Sequence, residues 1–407
     1  MRTLQTLGIA VVVGMVVGCA GASAPKSAEA PSATASGGGE SSKSAMAEAA
    51  PAGMPAQPGY PAPAADAPAS PSPVSVAPPP PPATPAATSA AIATTPSPVP
   101  PPREAAPLPQ AGQLTAGIWD DNRNFEFWKP YAVRFTENHG SDFAMFSASE
   151  LETARADANV EQPARTELDV QLVLDTTGSM GDELSYLQSE FDSIAKQVRS
   201  KFPNVTPRWS LVLYKDHGDE YVTRPFDFTA DTNRFRQNLR AQSAGGGGDI
   251  PEAVVEGLGV GMKQQWRGTA NVAKVVFWVA DAPAHPGEGQ KLAAVIRDAK
   301  KKGVHIYPVA SSDADDAAEY QMRSAAQMTS GRYVFLTNDS GIGNSHAEPH
   351  IPCYNVSRLD HAIVRMIQVE MSGHFAPPEA SQVIRSVGKP NKEGKCQLSS
   401  GMLVASY

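Results

Sequence analysis

Between Leu168 and Met371 the chain alternates short, nearly continuous apolar runs with longer stretches whose apolar residues recur every three or four positions. The runs Leu168–Asp175, Trp209–Tyr214, Lys274–Ala280, Val304–Ala310 and Tyr333–Thr337 read as strands, most of them buried on both faces. Gly181–Ser200 carries Leu184, Leu187, Phe191, Ile194 and Val198 at helical spacing. Further helices are predicted over Thr232–Arg240, Pro251–Gln264, Gln290–Lys302, Ala314–Ser330 and Leu359–Met371. Gly303, Gly331 and Gly373 end three of them, and Pro251 with Glu252 suits a first helical turn. Tyr221–Phe228 reads as a hairpin return after the polar turn Lys215–Asp219. Strands alternating with helices give a fold of the α/β class: doubly wound, with a mostly parallel sheet and helices on both faces.

Outside this span the pattern changes. Leu114–Phe135 is dense in aromatics, among them Trp119, Phe125, Phe127, Trp128, Tyr131 and Phe135. It is too short to build a core, so residues 113–165 are expected to dock on the main domain at 166–372, with Tyr131–Thr136 as an added strand. An aromatic ligand patch is the sharper alternative. From Gly112 back to Ala20 the chain is almost entirely Ala, Pro, Ser, Gly and Thr, including the run Pro78–Pro82. Such a segment cannot offset its ordering entropy, so residues 19–112 are expected to be a disordered tether. Fully extended it would reach on the order of 280 Å. Residues 373–407 form a C-terminal tail.

The first 18 residues have a basic Arg2 and an apolar stretch from Leu7 to Val17, the pattern of a secretory signal. Gly18-Cys19 resembles the lipobox of bacterial lipoproteins, which implies lipidation of Cys19, palmitate included. Ala20 after that Cys favours the outer membrane by the same resemblance. The formal net charge is −8, with no basic cluster on one element, so nucleic acid is not an expected partner. Of three cysteines, Cys353 and Cys396 remain. In an exported protein they suggest a disulfide worth about 4 kcal/mol by loop closure, with two free thiols as the alternative.

The candidate chemistry centres on LDVQLVLDTTGSM at Leu168–Met180. Asp175 falls at the carboxyl end of an apolar strand, where open α/β sheets place ligands, and Thr177 and Ser179 add hydroxyls. These are hard oxygen donors suited to Mg2+, Mn2+ or Ca2+. Lys274–Ala280 runs into a second aspartate, Asp281, and Gly245–Asp249 is a glycine-rich loop between the two. Each residue has a plainer role open to it. Ser179 could cap the following helix, Asp281 could start a turn with Pro283, and Asp249 could cap the helix after Pro251.

Taken in order, D-x-T-x-S at Asp175–Ser179, GGGGDIPEA at Gly245–Ala253 and VVFWVADAPAH at Val275–His285 resemble a von Willebrand factor type A domain with a metal-ion-dependent adhesion site. The resemblance implies ligand roles for Asp175, Thr177, Ser179 and Asp281. The family's second-loop Thr falls on Gly248 here, so the site is a variant in which Asp249 could ligate directly or through water. It also implies a metal-dependent, non-enzymatic protein-binding module that takes a partner's carboxylate. With the leader and tether, the expected setting is the bacterial cell envelope. A structural envelope component and a metal-dependent hydrolase are the alternatives. Asp216, His217 and Asp219 follow the second strand and could shape the ligand surface, or be only a polar turn. His346, His350 and Cys353 have a zinc-like spacing, for which an ordered loop is the preferred reading.

Overall fold

The computed structural model describes residues 114–248, 250–341 and 345–407. Cys19, the leader, the tether and Asp249 lie outside them. The chain opens with a buried strand, β1 (Thr115–Trp119), then two helices, α1 (Phe125–His139) and α2 (Ala148–Ala158). The α/β alternation follows: β2 (Glu167–Asp175), α3 (Gly181–Lys201), β3 (Arg208–Tyr214), β4 (Thr223–Thr229), α4 (Thr232–Arg240) and α5 (Val254–Lys263). It continues with β5 (Val272–Ala280), α6 (Gly289–Lys302), β6 (Val304–Ala310), α7 (Asp316–Met328) and β7 (Tyr333–Thr337). The chain closes with β8 (Tyr354–Arg358), α8 (Leu359–Ser372), β9 (Arg385–Val387) and the hairpin β10 (Lys395–Gln397) and β11 (Leu403–Ala405).

The sheet runs β4-β3-β2-β5-β6-β7-β1-β8-β9. Its centre, β3 through β7, is parallel, and β4, β1, β8 and β9 pair antiparallel at the flanks. The doubly wound α/β expectation therefore holds. Successive residues of the central strands feed opposite faces. Val173, Val276 and Trp278 join one buried cluster, while Leu172, Leu174, Phe277 and Val279 join the other. Each fully buried aliphatic or aromatic side chain of this kind contributes about 1.5–3 kcal/mol. The chain goes from β2 to β3 on one side, then returns past β2 to β5 on the other. The loops leaving β2 and β5 diverge at this reversal, which opens a crevice at the carboxyl ends of the strands.

Three expectations are corrected. Tyr131–Thr136 is not a strand: it lies inside α1, because Phe125, Trp128, Tyr131 and Phe135 recur at three and four and all are buried on one stripe. That stripe stacks on α7, with the Phe135 and Tyr320 rings 4.3 Å apart. The added strand is instead β1, inserted between β7 and β8, where Gly117 is required: a Cβ there would come within 2.3 Å of the Phe335 ring. Second, α5 begins at Val254 rather than Pro251. Glu252 donates its N–H to Pro283 O at 3.0 Å and forms a bridge with Ala284, so it is tied to the loop after β5 and does not start the helix. Third, α7 ends at Met328, and the left-handed residue beyond it is Ser330, not Gly331. Gly331 is needed for contact, since a Cβ would meet Ile306 O at 1.8 Å.

The unassigned stretch before Ala164 contains α2, whose start is written in a capping box. Ser147 Oγ accepts from Glu150 N, and Glu150 accepts from Ser147 N. Glu150 also pairs with Arg297 of α6 at 2.6 Å. Ser147→Ala is expected to cost about 1 kcal/mol, read as a lowered thermal midpoint. An unchanged midpoint would remove α2 from the cooperative unit. Cys353 and Cys396 are joined in a disulfide, which fixes the β10–β11 hairpin to the segment entering β8.

Candidate metal centre

Asp175 ends β2 with its side chain turned into the first loop. One carboxylate oxygen, Oδ1, accepts from Thr177 N at 2.9 Å and from Thr177 Oγ1 at 2.7 Å. The other, Oδ2, is buried without a hydrogen-bond partner. Ser179 sits in the 3-10 turn Gly178–Met180 and lines the same crevice as Asp281, whose carboxyl its hydroxyl helps to hold down. No side chain caps α3, so capping is not what Ser179 does here.

The glycine loop is stitched to the first loop by its backbone. Gly178 N donates to Gly246 O and Gly245 N donates to Thr176 O, both at 3.0 Å. Asp219, from the turn after β3, accepts from Gly247 N with both oxygens at 3.1 and 3.0 Å, and Lys215 Nζ donates to Gly245 O. Gly247 has a left-handed backbone (φ 69°), and a Cβ there would meet Thr177 Cβ at 3.0 Å. The polar turn Lys215–Asp219 thus braces the second loop.

Sequence reasoning read Glu252 as a helix-dipole charge. It is instead 3% exposed, points to the crevice, and has one oxygen buried without a partner. The signal was its position beside the glycine run; the misplaced helix start hid it. Burial, then the nearby charges of Asp175, Asp216, Asp281 and Asp219, push its carboxyl up to about 9. Burial likewise pushes Asp175 up to about 7, opposed by the Thr177 hydrogen bonds and reinforced by Asp281. Asp281 is raised by burial, against its bond from Ser179.

Thr177, Ser179, Gly246–Gly248, Glu252, Asp281 and Asp313 line one open cavity of about 250 Å³. Asp175, Glu252 and Asp281 are buried carboxyl groups at this crevice, two of them with an orphaned oxygen, and with the Thr177 and Ser179 hydroxyls they offer an all-oxygen donor set. A hard divalent cation fits it, and Asp175, Thr177, Ser179, Asp281 and Glu252 are the residues in place to hold one. The zinc-like run does not assemble. His346 bonds Asn338 and Ser312, His350 bonds Glu319, and Cys353 is in the disulfide.

Residues 169–344 match the family model for the von Willebrand factor A domain. A protein of Acanthamoeba polyphaga mimivirus, described as ariadne-like RING finger protein R811, is 31% identical over 121 residues, which are 29% of this chain and 11% of that one. The alpha-protein kinase vwkA of Dictyostelium discoideum is 29% identical over 128 residues, 31% of this chain and 20% of that one. The chain therefore spans a fifth or less of these relatives. Among solved structures, the conserved hypothetical protein BatB from Bacteroides thetaiotaomicron matches at 13% identity and a TM-score of 0.36, over 50% of this chain and 98% of that one.

Proposed function

Since the chain carries a von Willebrand factor A domain over residues 169–344, we propose that it is a binding module: a divalent cation, Mg2+ or else Mn2+ or Ca2+, held in the first-loop crevice takes a carboxylate from a protein partner. The observation that carries this reading is the orphaned Asp175 Oδ2 and Glu252 Oε2 beside a cavity open to the surface. Carboxyl groups so placed must either hold a proton or meet a cation, and an open cavity leaves room for both a cation and a ligand from outside. Bound there, the cation would supply a positive centre for an acidic group. The chain's own part is to fix the loops through the Gly178–Gly246 and Asp219–Gly247 bonds, so that little is reordered on binding.

Binding is favoured over turnover because Thr177 stands where a D-x-D phosphatase loop needs its second aspartate, and the glycine run lacks the Lys of a P-loop. The leader and Cys19 support an envelope setting with a lipid anchor, the outer membrane favoured. Among the described residues no helix is long and apolar enough to cross a membrane.

Cross-linking of the full chain in its native envelope tests the reading. A partner captured with Mg2+ should disappear with chelator and with Asp175→Ala. A partner captured equally in all three conditions would show recognition that bypasses the cation and overturn the proposal.

A further inference from the structure

A second cluster stands on the same rim, outside the crevice just described. Asp216 and His217 follow β3, His285 follows β5, and Glu256 lies in the first turn of α5. One ligand atom each from Asp216, His217 and His285 can be chosen so that all lie within 4.8 Å of one another. His285 Nε2 is 2.5 Å from Asp216 Oδ1, and His217 Nδ1 is 3.7 Å from that same oxygen. The two imidazole centroids are 5.3 Å apart. On its other side His217 Nε2 faces Glu256 Oε1 at 3.3 Å, and Glu256 Oε2 is buried without a partner.

We propose that Asp216, His217 and His285, with Glu256 beside them, form a second cation site that takes a transition metal of the Zn2+ class. The donor chemistry separates it from the first-loop crevice. Hydroxyls and carboxylates suit Mg2+, Mn2+ or Ca2+, whereas two imidazoles and a carboxylate suit Zn2+, Fe2+ or Co2+. Ordinary ion pairing accounts for less of the arrangement. A single Asp216 oxygen faces both imidazoles, at 2.5 Å from His285 Nε2 and 3.7 Å from His217 Nδ1, so three ligand atoms converge on one point rather than forming separate pairs. A cation among the three ligand atoms would meet all of them from elements that are already set in place. Asp216 is fixed by β3, and His285 by the segment that pairs with Glu252 at Ala284. The inference is independent of the binding reading above.

The test is titration of the untagged full chain with Co2+ in excess Mg2+, read by visible absorption, which reports nitrogen ligation. The unaltered chain should take up a single Co2+ with visible bands, and Zn2+ should displace it. His285→Ala and His217→Ala should each weaken uptake by at least the roughly 10–100-fold that loss of even an outer-shell partner costs. Asp175→Ala should leave it unchanged. His217 is half-exposed, so its variant should keep the unaltered melting profile and separates ligation from folding. No bands in the unaltered chain would overturn the proposal. So would bands lost in Asp175→Ala but kept in His217→Ala, which would put Co2+ in the first-loop crevice. If Mg2+ fails to bind while Co2+ uptake stays sensitive to His217, the binding reading falls and this one stands.

Discussion

Titrated with Mg2+ in a calorimeter, the full chain is expected to give binding heat that Asp281→Ala and Asp175→Ala lose by about 100-fold in affinity or more, since both remove a charged direct ligand where outer-shell losses alone cost roughly 10–100-fold. Loss of affinity by itself would not separate a ligand from a fold defect. Glu252→Gln makes that separation, because its effect changes sign with the metal. In the metal-free chain Glu252 is a buried carboxylate raised to about 9 by burial and by four neighbouring aspartates, with an orphaned oxygen. Raised that far, the carboxyl is protonated in the metal-free fold at neutral pH but ionised in the unfolded chain, so folding takes up a proton that Gln does not need, and the thermal midpoint in chelator should rise. With Mg2+ the same substitution removes a favourable charge. The stabilisation conferred by Mg2+, about 2.7 kcal/mol at a hundredfold excess over Kd, should shrink. A Glu252→Gln chain that is less stable in chelator, yet binds Mg2+ as before, would place Glu252 in the fold rather than at the cation.

Much of this arrangement was legible in the chain. Strands such as Val304–Ala310 and Tyr333–Thr337 are continuous apolar runs, and an apolar run on a parallel strand admits few other readings. Asp175 and Asp281 could be placed on one rim because each ends such a run. What escaped was decided by partners distant in sequence. β1 is five residues long, and its pairing with Thr337 and Arg358 needs strands more than 200 residues away. The α1 stripe carries Pro130 and reads ambiguously until Tyr320 supplies a surface for its rings. Glu252 was misassigned because proline followed by an acid is a helix-start signal, and here the bond from Glu252 N to Pro283 O overrides it. His285 could not be paired with Asp216 from the sequence, because 69 residues separate them and only the β2–β3 and β2–β5 pairings bring their loops together.

The largest loss of stability is expected from Arg323→Met, although it lies away from the crevice. Arg323 of α7 is fully buried, with its guanidinium 2.9 and 2.7 Å from the two oxygens of Asp121 and 2.8 Å from Glu319. Trp119 Nε1 donates to Asp121 at 2.8 Å, and the Tyr131 ring covers the guanidinium at 4.2 Å. One cation thus ties β1, α1 and α7 together. Met fills much of the volume but leaves two buried carboxylates facing each other, and breaking a buried pair in this way costs about 3–5 kcal/mol. Asp121→Asn should cost less, because Arg323 keeps Glu319 and the amide can still accept from Trp119. The pH dependence gives a second reading. Burial raises the Asp121 carboxyl even with Arg323 present, whereas Glu319 is held low by His350 and Arg323 against its own burial. Without Arg323 both carboxyls shift upward in the folded chain. Groups raised on folding take up protons as pH falls toward the ordinary carboxylate range near 4, so the deficit of Arg323→Met should narrow with acidification. Chemical denaturation of both variants at neutral and mildly acidic pH measures it. A deficit that is constant with pH would mean that the loss is one of packing alone, and that the two carboxylates are not stranded charges.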